Sequence, residues 1–184
     1  MKMSQIMNWA GNLIDPFNLR EEDFENAGMQ AAVTLSRVQR FWGQLREPYT
    51  VAQHCLSLVE YFDGDKELQA IAISHEIYEA MGLGDIPTPV KKMLPQVKNA
   101  ENQALEMFAK LYDLDHNKFH TEIIKSADKG LMVMEARALM PKNPSFSWEE
   151  QYGSPVGKLY KLGATEMEVK RDFLLKWQEL FGRL

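Results

Sequence analysis

Leu68-Gln69-Ala70-Ile71-Ala72-Ile73-Ser74-His75-Glu76-Ile77-Tyr78-Glu79-Ala80-Met81-Gly82 is the stretch that decides the fold class. Leu68, Ile71, Ala72, Tyr78 and Met81 recur at helical intervals, so residues 66–82 read as a strong amphipathic helix. His75, Glu76 and Glu79 are embedded in it, interleaved with Ile73, Ile77 and Met81. Carboxylates placed there are costly to bury unless something positive compensates them. His75 and Glu79 stand four residues apart and return to one helix face, with Glu76 beside them. Imidazole nitrogen and carboxylate oxygen are the ligand types that suit a divalent ion such as Mn, Fe, Co, Ni or Zn.

Upstream, Thr50 is placed to cap a helix reaching residue 62, with Val51, Leu58, Val59 and Phe62 as its apolar stripe and His54 in its first turn. Residues 27–41 predict another helix, with Gly43 to end it, and residues 1–26 a packed arm with one short helix at most. Downstream, Gly84-Asp85-Ile86-Pro87-Thr88-Pro89 reads as a rigid turn, Thr88 capping and Pro89 opening a helix that bears Lys91. Amphipathic helices follow at 99–113 and 119–140, the second carrying Asp128. A long surface connection at 141–163, rich in Pro, Gly and Ser, precedes a closing helix at 165–181. No alternating apolar and polar run predicts a sheet, so the expected fold is all-α, one helical bundle over residues 1–184.

With 184 residues and 45% hydrophobic content the chain can bury one sizeable core and is short for two ordinary domains. Cys55 is its one cysteine, no apolar leader is evident, and no run approaches the roughly 20 apolar residues that a bilayer requires. A cytosolic setting is predicted. The net charge of −5 offers no long-range attraction to polymeric nucleic acid, and no membrane partner is expected. A small phosphorylated ligand is compatible with it, because Arg37, Arg40, Arg46, Lys91 and Lys92 can gather local positive charge.

The His75 cluster is incomplete as a metal site. His54 and Asp128 would complete it with ligands from three helices, a common construction in helical bundles. Spacing alone does not select Asp128 from 26 acidic residues. Taken singly, the residues also have plainer roles: Asp85 and Thr88 as turn and cap, Arg40 as a surface partner of Glu47, Trp42 as packing and Lys91 as a solvated charge. His116 and His120 share helical spacing without an obvious third ligand and read as exposed helix-start residues, and Cys55 reads as a small core residue.

Four ordered segments change the weighting: Arg40-Phe41-Trp42-Gly43, Tyr49-Thr50-Val51-Ala52-Gln53-His54, His75-Glu76-Ile77-Tyr78-Glu79-Ala80 and Gly84-Asp85-Ile86-Pro87-Thr88-Pro89-Val90-Lys91. Together with Ala127-Asp128-Lys129 and Met134-Glu135-Ala136-Arg137-Ala138-Leu139-Met140-Pro141, they resemble the HD-domain phosphohydrolases. The likeness is strongest to the branch of bacterial 5'-deoxynucleotidases and phage-encoded relatives. This resemblance implies a divalent ion (Mn, Co, Fe, Ni, Zn or Mg) held by His54, His75, Glu76 and Asp128, with a water attacking phosphorus. It implies Glu79 orienting or protonating groups at the reaction centre, Asp85 in support, and Arg40, Trp42, Thr88 and Lys91 on the substrate side. It also implies a homo-oligomer in a bacterial or phage-infected cytosol.

One departure stands out: the second residue of the His-Asp pair is Glu76 here, whose extra methylene carries the carboxylate roughly 1.5 Å further, so that it ligates directly or through water. The expected reaction is hydrolysis of deoxynucleoside 5'-monophosphates to deoxynucleosides and phosphate. The alternatives are a deoxynucleoside triphosphate triphosphohydrolase, for instance on dATP, and a nucleotide-binding regulatory module with impaired hydrolysis.

Overall fold

Thr50 opens the helix around which the others assemble. Its side chain accepts from the Gln53 amide at 3.3 Å, and the Gln53 side chain accepts from the Thr50 amide at 3.0 Å. This reciprocal cap starts α2 (Val51–Tyr61), whose side chains are buried continuously from Val51 to Val59. A helix buried on all sides belongs at the centre of the core. Asp65 accepts from the amides of Glu67 and Leu68 and so starts α3 (Lys66–Ser74), which lies along α2. The computed structural model describes residues 5–184.

Around this pair pack α1 (Ala27–Leu35), α5 (Pro95–Leu111), α6 (Glu122–Leu139) and α8 (Glu166–Phe181). α1 meets α8 where Gly28 faces Trp177, and a β-carbon on Gly28 would stand 2.5 Å from the indole nitrogen. Trp177 and Phe173 of α8 join Phe108 of α5 in an aromatic cluster. α6 reaches both α2 and α3, and this contact brings Asp128 and Glu135 to the His54 side of the bundle. The expected all-α fold is observed, and among the described residues no helix is long and apolar enough to cross a membrane.

Several boundaries differ from expectation, each for a local reason. The arm contains a small antiparallel hairpin, β1 (Ile6–Met7) with β2 (Leu13–Ile14), although no sheet was predicted. The Asn8 side chain, accepting from the amides of Ala10 and Asn12, shapes its turn, a signal too short to show as alternation. A 3-10 turn at Glu21–Phe24 follows, while the first four residues of the arm lie outside the described ones. α1 stops at Leu35 instead of continuing to residue 41, because Val38 and Arg40 pair with the backbone of Val51 and Tyr49. Tertiary pairing overrides the helical periodicity there.

The helix expected over 66–82 is also interrupted. Ser74 donates its hydroxyl back to the Ala70 carbonyl at 2.6 Å, the helix ends, and His75 and Glu76 occupy a turn. A π-helical segment then runs over Glu79–Leu83, with Gly82 at φ 119°. That glycine is required, since L side chains rarely adopt such a φ.

α4 (Thr88–Lys91) begins with Thr88 itself; Pro87 precedes it, Thr88 makes no capping bond, and Pro89 follows within the first turn. α5 starts at Pro95 rather than residue 99, and a 3-10 turn at His116–His120 precedes α6, which starts at Glu122 rather than residue 119. The 141–163 connection holds a short helix, α7 (Trp148–Tyr152), that packs on α6. Farther along it Tyr160 is buried, its amide donating to Tyr49 Oη and Ser57 Oγ.

Candidate metal centre

His54 is fully buried, and its ring orientation is fixed from behind. Nδ1 donates to Glu135 Oε1 at 2.6 Å, and the other Glu135 oxygen accepts from Arg40 Nε at 3.1 Å. Nε2 is left facing Asp128 Oδ1 at 3.0 Å. His75 is set the same way: Nδ1 donates to the Ala72 carbonyl at 2.7 Å, so Nε2 points towards Glu76 Oε1 at 3.5 Å and Asp128 Oδ1 at 4.0 Å. One ligand atom from each of His54, His75 and Glu76 lies within 4.8 Å of the others, while Asp128, the fourth expected ligand, falls outside that mutual set and approaches the two histidines. A carboxylate or carbonyl behind a ligating histidine is the usual means of fixing its tautomer.

Donors bonded to an ion at about 2.0–2.2 Å must stand about 3–4 Å from one another. The His54–Asp128, His75–Glu76 and His75–Asp128 separations of 3.0, 3.5 and 4.0 Å match that requirement. His54 Nε2 and His75 Nε2 are buried and meet only carboxylate oxygens, and Glu79 Oε2 is buried without a hydrogen-bond partner. The charge balance points the same way. Glu76, Asp85, Asp128 and Glu135 are met most closely by Arg40 and Lys91, with Lys98 and Lys125 farther along the cavity lining, and a divalent cation suits the concentration of carboxylates around the two histidines.

Protonation follows from these neighbours. Burial and Arg40 both push the His54 pKa down, but Glu135 and Asp128 outweigh them and raise it to about 9. Against desolvation, His54, His75 and Arg40 hold Asp128 well below the usual carboxylate range. Burial opposes ionisation of Glu135 as well, yet Arg40 and His54 keep it charged. Glu79 behaves oppositely: burial first, then repulsion from Glu76 and Asp85, lifts its pKa well above the ordinary value, and Lys91 with Nζ at 3.6 Å offsets only part. Glu79 is therefore a carboxyl whose surroundings favour the protonated form.

Asp85 acts as a clasp, Oδ2 accepting from the Phe41 amide at 3.1 Å and from Arg40 Nη1 at 3.5 Å. It secures a turn in which Phe41 and Trp42 sit at φ 52° and 53°. Arg40, expected as a surface partner of Glu47 in its plainest role, is instead 7% exposed and paired with Glu135 and Asp85.

A cavity of about 290 Å³ opens over the cluster, lined by Arg40, His75, Glu76, Glu79, Asp85, Thr88, Lys91 and Asp128. His54 stands behind the wall. Trp42 is 57% exposed and lines neither this cavity nor the adjoining one, while its neighbour Phe41 lines the latter. Lys91 donates to Glu101 at 2.8 Å, and Arg37 pairs with Glu166 away from the site. Lys98, His120 and Lys125, not singled out from sequence as site residues, line the same cavity. Glu135 was missed too, although a signal existed: it follows Asp128 by seven residues, two helical turns, on the face that meets His54.

No family model matches the chain. It is 32% identical over 134 residues to the Escherichia coli (strain K12) protein named "Uncharacterized protein YfdR", covering 71% of this chain and 70% of that protein. The chain belongs to the YfdR family. A contiguous match of that extent, wherever it begins, takes in the YfdR-family segment holding His75, Glu76, Glu79 and Asp128.

Proposed function

We propose that this YfdR-family protein is a divalent-metal-dependent phosphohydrolase that converts deoxynucleoside 5'-monophosphates to deoxynucleosides and phosphate. The observation that carries this reading is the pair of buried imidazole nitrogens, His54 Nε2 and His75 Nε2, that converge with carboxylate oxygens of Asp128 and Glu76 at 3.0 to 4.0 Å beside a polar cavity. The sequence resemblance to HD-domain phosphohydrolases supports it. His54, His75 and Asp128 would hold the ion, with Glu76 at the position where the longer carboxylate reaches His75. A bound divalent ion activates water at neutral pH and polarises a phosphoryl oxygen.

The remaining work belongs to the chain. Glu135 fixes the His54 tautomer and keeps Nε2 free of its own proton once an ion competes for it. Glu79, whose protonated form burial and the neighbouring carboxylates favour, would give its proton to the leaving oxygen and regain one from the next water to enter. Arg40, fixed between Glu135 and Asp85, presents permanent positive charge to the phosphate without having to be ordered first. Lys91 adds a second cation at the same wall. We propose a cytosolic, homo-oligomeric enzyme, with the buried lone thiol Cys55 in keeping with a reducing setting.

A second reading, a triphosphohydrolase, is favoured by Lys98 and Lys125 along the same cavity, where further phosphates would meet positive charge. Incubating the purified protein with deoxynucleoside mono- and triphosphates and Mn, Co or Mg, with products separated by chromatography, distinguishes the two. Inorganic phosphate and nucleoside from monophosphates support the first, and triphosphate release supports the second. Nucleotide binding with no consumption under any metal defeats both and leaves a binding module.

A further inference from the structure

The polar cavity does not end at Arg40. A second cavity of about 180 Å³ shares Arg40, Asp85, Thr88 and Met132 with it and continues between Phe41, Pro87, Pro89, Trp148 and Tyr152. The chemistry changes across that shared wall, from carboxylates and cations on one side to aromatic rings and proline on the other. A ligand filling both must carry a phosphate at one end and a flat apolar group at the other.

The aromatic wall is built and not incidental packing. Phe41 and Trp42 are held in left-handed backbone, which costs a non-glycine residue about 1–2 kcal/mol, and Asp85 secures the turn through the Phe41 amide. Strain of this kind collects at binding sites. The turn sets Phe41 edge-on to Trp148, ring centroids 5.7 Å apart, while Tyr152 stacks on Trp148 at 5.5 Å. The Arg40 guanidinium lies 5.6 Å from the Phe41 ring centre, so the phosphate side and the aromatic side meet at adjacent residues. Phe41, Trp148 and Tyr152 all stay partly exposed, outside the buried core.

We propose that this second cavity is the nucleobase subsite, with Phe41, Trp148 and Tyr152 holding the base by its aromatic face. The proposal rests on the reading that a nucleotide's phosphate occupies the polar cavity. Base stacking on aromatic side chains tolerates every base, because each has a π face. The subsite therefore reads the presence of a base more than its identity, and α7, within what the sequence predicts only as a connection, becomes part of the binding site.

The test is calorimetric binding of deoxyadenosine, which needs no turnover, to wild type, Trp148→Ala, Trp148→Phe and Tyr152→Ala. Turnover of deoxyribose 5-phosphate, which has no base, is followed alongside. Trp148→Ala is expected to weaken deoxyadenosine about 5- to 150-fold and Trp148→Phe to retain most of the affinity, with the change in deoxyribose 5-phosphate kcat/KM smaller than the change in deoxyadenosine affinity. Should Trp148→Ala fold poorly, the Tyr152→Ala loss carries the same inference. No deoxyadenosine binding by wild type, or equal binding by both alanine variants, overturns the subsite. Deoxyadenosine binding that depends on Trp148, without hydrolysis of any nucleotide, defeats the phosphohydrolase and leaves the subsite standing.

Discussion

Glu135→Gln removes one charge from the least exposed carboxylate of the site while keeping its volume. In the wild type that carboxylate accepts from His54 Nδ1 at 2.6 Å and from Arg40 Nε at 3.1 Å, and it is 0% exposed. A glutamine has one acceptor for two donors, so its amide group must face either an imidazole N–H or a guanidinium N–H. With its oxygen towards His54 the tautomer survives on a weaker neutral bond, and Arg40 retains only Asp85 at 3.5 Å. Losing the partner behind a ligating histidine costs about 10–100-fold in metal affinity, or about 1.4–2.8 kcal/mol. Breaking a buried pair from one side costs about 3–5 kcal/mol of stability, and the lower end applies here because Arg40 keeps one carboxylate. Competition against a chromophoric chelator gives the first quantity, and urea unfolding of the metal-free protein gives the second. Affinity within twofold of wild type together with an unchanged unfolding midpoint would refute the role assigned to Glu135.

Glu79→Gln should lower kcat by about 10²–10⁴ with metal content intact, since it removes the proton and leaves the histidines untouched; wild-type kcat would exclude Glu79 as the acid. Glu76→Asp withdraws the carboxylate by roughly 1.5 Å, and we expect at least about a tenfold loss of metal affinity by elemental analysis after dialysis. Full retention would mean that Glu76 acts through water. Because the His54 pKa is raised from 6.5 to about 9, its protonation contributes stability to the metal-free fold that is complete below pH 6.5 and lost as pH rises to about 9. An ion must displace that proton, so metal affinity should rise about tenfold per pH unit across this window and level off above it. Calorimetry in buffers of different ionisation heat should detect the released proton, and a flat profile would contradict the His54 assignment.

Much of the bundle was legible because its signals are local. Thr50 caps the helix that its apolar stripe announces, and the closing helix expected over 165–181 forms behind a cap at Thr165. What escaped depends on contacts distant in sequence. The end of α1 is set by pairing with Tyr49 and Val51, and the break after Ser74 reflects a side-chain bond that no periodicity records. α7 spans only five residues, fewer than a hydrophobic period needs to declare itself. In the site, the His75-Glu76 turn and His54 were visible as residue types, but Asp128 needed the family likeness because one carboxylate in a helix looks like any other. Glu135 went unnoticed as an acidic residue in an amphipathic helix, where a solvated position is the ordinary expectation. Phe41, next to the expected Trp42, lines the second cavity because backbone conformation decides its direction.

We propose that one divalent ion on His54, His75, Glu76 and Asp128 makes this protein a nucleotide phosphohydrolase. The direct measurement is phosphate release from a deoxynucleoside 5'-monophosphate as Mn or Co is titrated into metal-free protein, for wild type and Asp128→Ala. The account predicts no turnover without metal, a rise that saturates at about one ion per chain, and no turnover at any loading for Asp128→Ala. Equal turnover with and without metal, or an Asp128→Ala variant as active as wild type, would contradict it.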